Sequence, residues 1–254
     1  ARTSGAIAIH GNRWTDFVAA VCAAHLHVER GADPATALAG AVVVAAALVA
    51  ASLLGSGAGD ADPVGPQALS APVERDALFV GVPQSGLALG SPHAPVTLVE
   101  YADLQCPYCA RWARDALPTI MDDYVRGGRV RVVFRGLSFV GPESETALRA
   151  ALAAGEQNRL WDVVHGLYLR QGAENSGWVS ERLLRSFGGT GLDTQRMLDS
   201  THSAWVERQL ADAEEDAAAI GVPGTPFFQV GRTGGTLTPL HVSALDADTF
   251  RREL

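Results

Sequence analysis

One stretch limits the possible folds of this chain more than any other. Residues 96–118 read VTLVEYADLQCPYCARWARDALP. Val96 to Tyr101 is apolar and β-branched apart from one acid, which predicts a strand. Pro107 follows a short polar turn. Its fixed φ and missing N–H suit the first position of a helix. The helix is predicted to run from about Pro107 towards Tyr124, kinked at Pro118 and ended by Gly127-Gly128. In RVRVVFR, residues Val130, Val132 and Phe134 alternate, which predicts a second strand, parallel or near-parallel to the first. The chain must therefore contain a β-α-β unit.

A helical region follows. Glu145 to Ala154, Leu160 to Leu169, Val179 to Phe187 and His202 to Ile220 carry helical patterning, and Asp193 is a plausible cap for a further short helix. Next come GVPGTPFFQVG as a strand, a hairpin through Gly234-Gly235, a strand near Leu237 to Val242 and a last helix capped near Asp246. Strands at both ends of a helical excursion, about 142–220, imply an α/β fold.

The N-terminal part differs in character. Pro34 to Gly59 carries no charge, and Ala37 to Leu54 is almost wholly apolar. As a helix these 26 residues would reach about 39 Å, enough for a hydrocarbon core of roughly 30 Å. The expected organisation is a short N-terminal segment (1–33), a transmembrane anchor (34–54), a Gly/Pro/Ala-rich linker (55–75) and an ordered domain (76–254). A buried Ala-rich helix and a cleaved signal sequence are the alternatives. Arg2, Arg13 and Arg30 precede the run and Arg75 is the first basic residue after it. The positive-inside rule then puts the N-terminus in the cytoplasm and the domain on the extracytoplasmic side. Cys22, before the anchor, would be separated from the other two cysteines.

Composition excludes several classes. Of 254 residues, 47% are hydrophobic and 19% charged, which is not a disordered chain. A net charge of −8 argues against nucleic acid as partner. Three cysteines are too few for a disulfide-stapled scaffold.

The chemistry lies in the CPYC turn. Cys106 at the cap position faces unsatisfied N–H groups and the positive end of the helix dipole, both of which favour a thiolate. Cys109, three residues on, lies on the same side of the first turn. Cys106 is expected to be the exposed nucleophile and Cys109 the buried resolving thiol. Glu100 shares a strand face with Val96 and Leu98, the face a helix would cover. Buried, its pKa would rise, and it would take the proton from Cys109 as that thiol attacks a mixed disulfide. The alternative for Glu100 is a strand end reaching water. A CxxC is also half a zinc site, but no second ligand pair is present and His93, His165, His202 and His241 are scattered; no metal or organic cofactor is expected. Trp112 and Trp161 read as core residues. Arg129, Arg131 and Arg135 read as a solvated basic row.

Glu100, the CPYC motif and the late Gly224-Thr225-Pro226 together resemble the thioredoxin superfamily. The helical block narrows the resemblance to DsbA-like thiol–disulfide oxidoreductases, especially membrane-tethered forms, over roughly Gly90 to Val230. The resemblance implies a thioredoxin-like fold with an inserted helical block. It implies that Pro226 is a cis-proline beside the sulfurs, and that the Thr225 backbone pairs with an extended substrate, with Pro107 and Tyr108 on the substrate-facing surface. It also implies an oxidase that passes a Cys106–Cys109 disulfide to unfolded or reduced secreted proteins and is reoxidised by a quinone-linked membrane partner. Two residues depart from the strongly oxidising pattern: Tyr108 stands where those members carry histidine, and Thr225 precedes the proline. A reductase or isomerase is the rival direction, and a non-catalytic peptide-binding module is the rival class.

Overall fold

The computed structural model describes residues 76–254. The expected N-terminal segment, membrane anchor, linker and Cys22 lie outside the described residues. Among the described residues no helix is long and apolar enough to cross a membrane.

The strand predicted at Val96 is β3, Val96–Ala102, and RVRVVFR lies in β4, Val130–Gly136. They pair in parallel, with Glu100 opposite Phe134. Between them α1, Pro107–Asp115, breaks at Ala116 and resumes as α2, Leu117–Ile120, which passes into a π turn at Met121–Val125. Pro118 explains the break, since it cannot donate to the carbonyl one turn back. Gly128, at φ +67°, then reverses the chain into β4.

The helical block comprises α3 (Pro142–Gly155), α4 (Leu160–Leu169), α5 (Glu181–Arg185), α6 (Thr194–Asp199) and α7 (Ala204–Ile220). Asp193 does cap α6, its carboxylate accepting from the Arg196 N–H. The chain returns as β5, Phe227–Arg232, then β6, Leu237–Pro239, and α8, Ala247–Glu253. The last strand is shorter than the pattern to Val242 suggests. It stops at Pro239, which has no N–H for the ladder.

Two short strands were not legible: β1, Gln84–Ser85, and β2, Ala88–Leu89. They form a hairpin on the outer side of β4, so the sheet order is β1-β2-β4-β3-β5-β6. β3 is central, flanked by parallel β4 and antiparallel β5.

Period-two alternation divides β3 between two cores. Val99 and Tyr101 pack with Ala213 and Ala217 of α7. Leu98 belongs to the larger core, with Val132, Phe134, Trp112 and Trp161. Trp112 is fully buried against Phe228, 5.2 Å between ring centroids, and Phe250, 6.1 Å. α1 thus seals one face of the sheet while its N-terminus stays at the C-terminal end of β3. The arginine row is not simply solvated: Arg131 donates to Thr97 and Arg135 pairs with Asp216 of α7 at 3.3 Å.

Candidate active site

Three segments meet where β3 ends. The first is the turn Asp103–Cys106, whose geometry follows from sequence. Asp103 Oδ1 accepts from the Gln105 N–H at 2.8 Å, an Asx turn. The Cys106 N–H donates to the Asp103 carbonyl at 3.1 Å. Cys106 is then the extended cap residue of α1, with Pro107 in the first turn.

The second segment is the loop before β5. Thr225–Pro226 is a cis peptide. The Cys106 Sγ–H donates to the Thr225 carbonyl at 3.3 Å. The structure therefore brings Cys106, Cys109, Thr225 and Pro226 into one locus, although 119 residues separate Cys106 from Thr225.

Both cysteines are free thiols. Cys109 is fully buried, as the sequence suggests. Cys106 is less open than expected: 5% of its surface is exposed, because the Thr225 loop lies over it. The exposed members of the site are Pro107 and Tyr108, the latter 62% exposed.

The two sulfurs are driven apart in acidity. The Cys106 pKa falls to about 6. A hydrogen bond from the Cys109 thiol contributes most, with further donation from the Thr225 side chain and from the Cys109 and Tyr108 backbone amides at the helix mouth. Cys109 is pushed well above an ordinary thiol, first by burial, then by that same hydrogen bond and by the nearby Glu100 and Cys106 charges.

Glu100 is fully buried and does not reach water. Its cross-strand neighbours are Phe134 and Phe228. Neither carboxylate oxygen has a hydrogen-bond partner. Burial, then the Cys106 charge, raises its pKa well above the carboxylate range. An unpaired ionised carboxylate in such a place costs several kcal/mol, so the group favours its protonated form.

The third segment is the end of α4 and the loop leaving it, where the sequence suggests only an apolar helical face packed in the core. Tyr168, at the end of α4, is buried and donates to the Asp103 carbonyl at 3.3 Å. Its acidity is suppressed first by burial and then by the Cys109 and Glu100 charges. Gln171 and Asn175, on the loop leaving α4, bond to residues 104–106. Only the Asx turn at Asp103 had a local signal; the other contacts span some 65 residues or more. Among the described residues no three His, Cys, Asp or Glu side chains gather as a metal site.

This geometry serves thiol–disulfide exchange. The Thioredoxin family profile matches residues 83–235. A "probable disulfide bond formation protein D" of Bacillus cereus is 28% identical over 148 residues, covering 56% of this chain and 68% of that one. The crystal structure of a thioredoxin-like oxidoreductase from Silicibacter pomeroyi is 30% identical, with a TM-score of 0.53 over 71% of this chain and 95% of that one. Oxidised BdbD from Bacillus subtilis is 22% identical and shares the fold, with a TM-score of 0.55 over 72% of this chain and 95% of that one. A match covering more than half of the chain, joined to a thiol pair at a helix mouth, shows that the chain belongs to the thioredoxin family, as a DsbA-like thiol–disulfide oxidoreductase.

Proposed function

We propose that the chain is an extracytoplasmic oxidase that transfers a Cys106–Cys109 disulfide to reduced secreted proteins. The observation that carries this reading is the opposed acidity of the two sulfurs, with Cys106 at about 6 and Cys109 far above it. A substrate thiolate attacks Cys106 Sγ in the enzyme disulfide. The S–S bond breaks and its electron pair leaves on Cys109. That buried thiolate takes a proton, which Glu100 supplies. A second substrate thiolate then attacks the substrate sulfur of the mixed disulfide and expels Cys106 as a stabilised thiolate. The substrate leaves oxidised by two electrons, and the enzyme is left as the dithiol. In the reverse direction Glu100 takes the proton from Cys109 as it attacks the mixed disulfide.

Thr225 and Pro226 would align an extended substrate beside Cys106, with Pro107 and Tyr108 forming the adjoining surface. The name of the Bacillus cereus relative, a probable disulfide bond formation protein, supports the oxidising direction. Reoxidation then falls to a membrane partner, by resemblance one linked to quinone. The uncharged run at 34–59 supports a single membrane anchor at 34–54, followed by a linker to residue 75.

A second reading, reductase or isomerase, is favoured by one observation. A Cys106 midpoint of about 6 lies nearer to the roughly 7 of thioredoxin than to the roughly 3.5 of DsbA. Oxidative refolding of reduced ribonuclease in the presence of catalytic enzyme and an excess of oxidant tests the proposal. Wild type is expected to accelerate it and Cys106→Ser to abolish the gain. Equal activity of the two would leave only a peptide-binding module.

A further inference from the structure

A closed ring of hydrogen bonds, running from the buried Gln105 out to the exposed Asn175, surrounds the residue before the nucleophile. Gln105 is 1% exposed. Its Nε2 donates to Asn175 Oδ1 at 3.0 Å and to Ser144 Oγ of α3 at 3.0 Å, while its Oε1 accepts from the Asn175 N–H at 2.7 Å. Asn175 Nδ2 donates to the Val140 carbonyl at 3.3 Å. The Phe139 and Val140 amides donate to Asp103 Oδ2 at 2.6 and 2.8 Å, and Asp103 Oδ1 accepts from the Gln105 N–H. Four residues from three separate loops thus close on one another. Asn175 holds a left-handed conformation, φ 53°, which is uncommon outside glycine. Beside the ring, Gln171 Nε2 donates to two carbonyls of the catalytic turn, Leu104 at 2.9 Å and Cys106 at 3.2 Å.

We propose that Gln171 and Asn175, on the loop leaving α4, are positioning residues that hold the Cys106 turn against the mouth of α1. The proposal rests on Cys106 being the nucleophile. The physical reason is geometric. The Tyr108 and Cys109 amides stabilise the thiolate only while the turn aims them at the sulfur, and such bonds weaken steeply with misalignment. Gln171 fixes the Cys106 carbonyl, and the Asn175 ring fixes Gln105 just before it. One loop of the helical insertion therefore sets the reactivity of a thiol in the thioredoxin core. The other groups facing Cys106 are Cys109 on α1, Thr225 on the loop before β5 and Glu100 on β3; Tyr168 on α4 senses its charge.

The variants are Gln171→Leu, which keeps side-chain bulk without donors, and Asn175→Gly, which keeps the backbone conformation and the N–H bond to Gln105 Oε1 but removes the two side-chain bonds that close the ring. The reduced full chain is titrated by the ultraviolet absorbance of its thiolate, and its alkylation rate is measured near pH 6 and near pH 9. Each variant is expected to raise the Cys106 midpoint above the wild-type value of about 6. Alkylation near pH 6 then falls by about three- to fivefold, while near pH 9, where the thiolate forms in every variant, rates match. A lower melting temperature with the wild-type midpoint, or an equal rate loss at both pH values, would make the two residues merely structural and overturn the proposal. Cys106→Ser, run in parallel, separates the readings. If it still oxidises substrate, the nucleophile assignment fails; if it oxidises none while the two variants titrate like wild type, only the positioning role fails.

Discussion

Glu100→Gln isolates the buried acid with almost no change of shape. Folding places the carboxyl between Phe134 and Phe228 with no partner for either oxygen. Its folded pKa therefore lies well above the ordinary 4.5. In the unfolded chain Glu100 ionises near 4.5, while the folded protein keeps the proton until the higher midpoint. The unfolded state thus binds fewer protons across that window, and stability falls as pH rises. The slope is about 1.4 kcal/mol per pH unit, beginning near the unfolded value and ending at the folded midpoint. Glutamine cannot ionise and lacks this slope. Cys106 has the opposite sign: its depressed pKa adds stability as pH rises between about 6 and 9, but it does so in both proteins and cancels in the difference. Urea unfolding of the reduced proteins should show the two differing least near pH 4. The variant should then gain on wild type by about 1.4 kcal/mol per pH unit from about 4.5 up to the folded midpoint of Glu100. Stability curves that run parallel from pH 4 to pH 7 would mean that Glu100 ionises freely and has no reserve proton for Cys109.

Other expected outcomes follow from neighbouring contacts. Glu100→Gln should slow mixed-disulfide resolution by about a hundredfold at pH 6–8, and an unchanged rate in stopped-flow assays would remove its acid–base role. Alkylation of Cys106 should follow a midpoint near 6, leaving it about 90% thiolate at pH 7 against a few per cent for an ordinary thiol. Trp112→Ala should cost about 3–5 kcal/mol in denaturant unfolding, since the ring fills the space against Phe228 and Phe250. Gly141→Ala should cost about 1–3 kcal/mol, because a Cβ there would lie 2.6 Å from Asn175 Nδ2.

The catalytic unit could be read from sequence because its signals are local. Pro107 and Gly128 punctuate α1 and the turn into β4, and period-two alternation places Glu100 on the buried face beside Leu98. Capping residues at Asp193 and Asp246 mark helices for the same reason. What sequence hid depends on distant chain. The β1–β2 hairpin has two residues per strand, too few to show alternation. The shielding of Cys106 is imposed by Thr225, and the ring around Gln105 by a loop 70 residues away. No periodicity marks Gln171 or Asn175, whose importance is a matter of hydrogen-bond geometry.

The redox equilibrium of the Cys106–Cys109 pair with glutathione tests the thiolate most directly. Against the roughly 7 of thioredoxin, a midpoint of about 6 stabilises the reduced form at pH 7 by about 1 kcal/mol, or roughly 20 mV. The expected potential is therefore above the roughly −270 mV of thioredoxin and short of the roughly −120 mV of DsbA. A value at or below that of thioredoxin would contradict an oxidase built on a stabilised Cys106 anion.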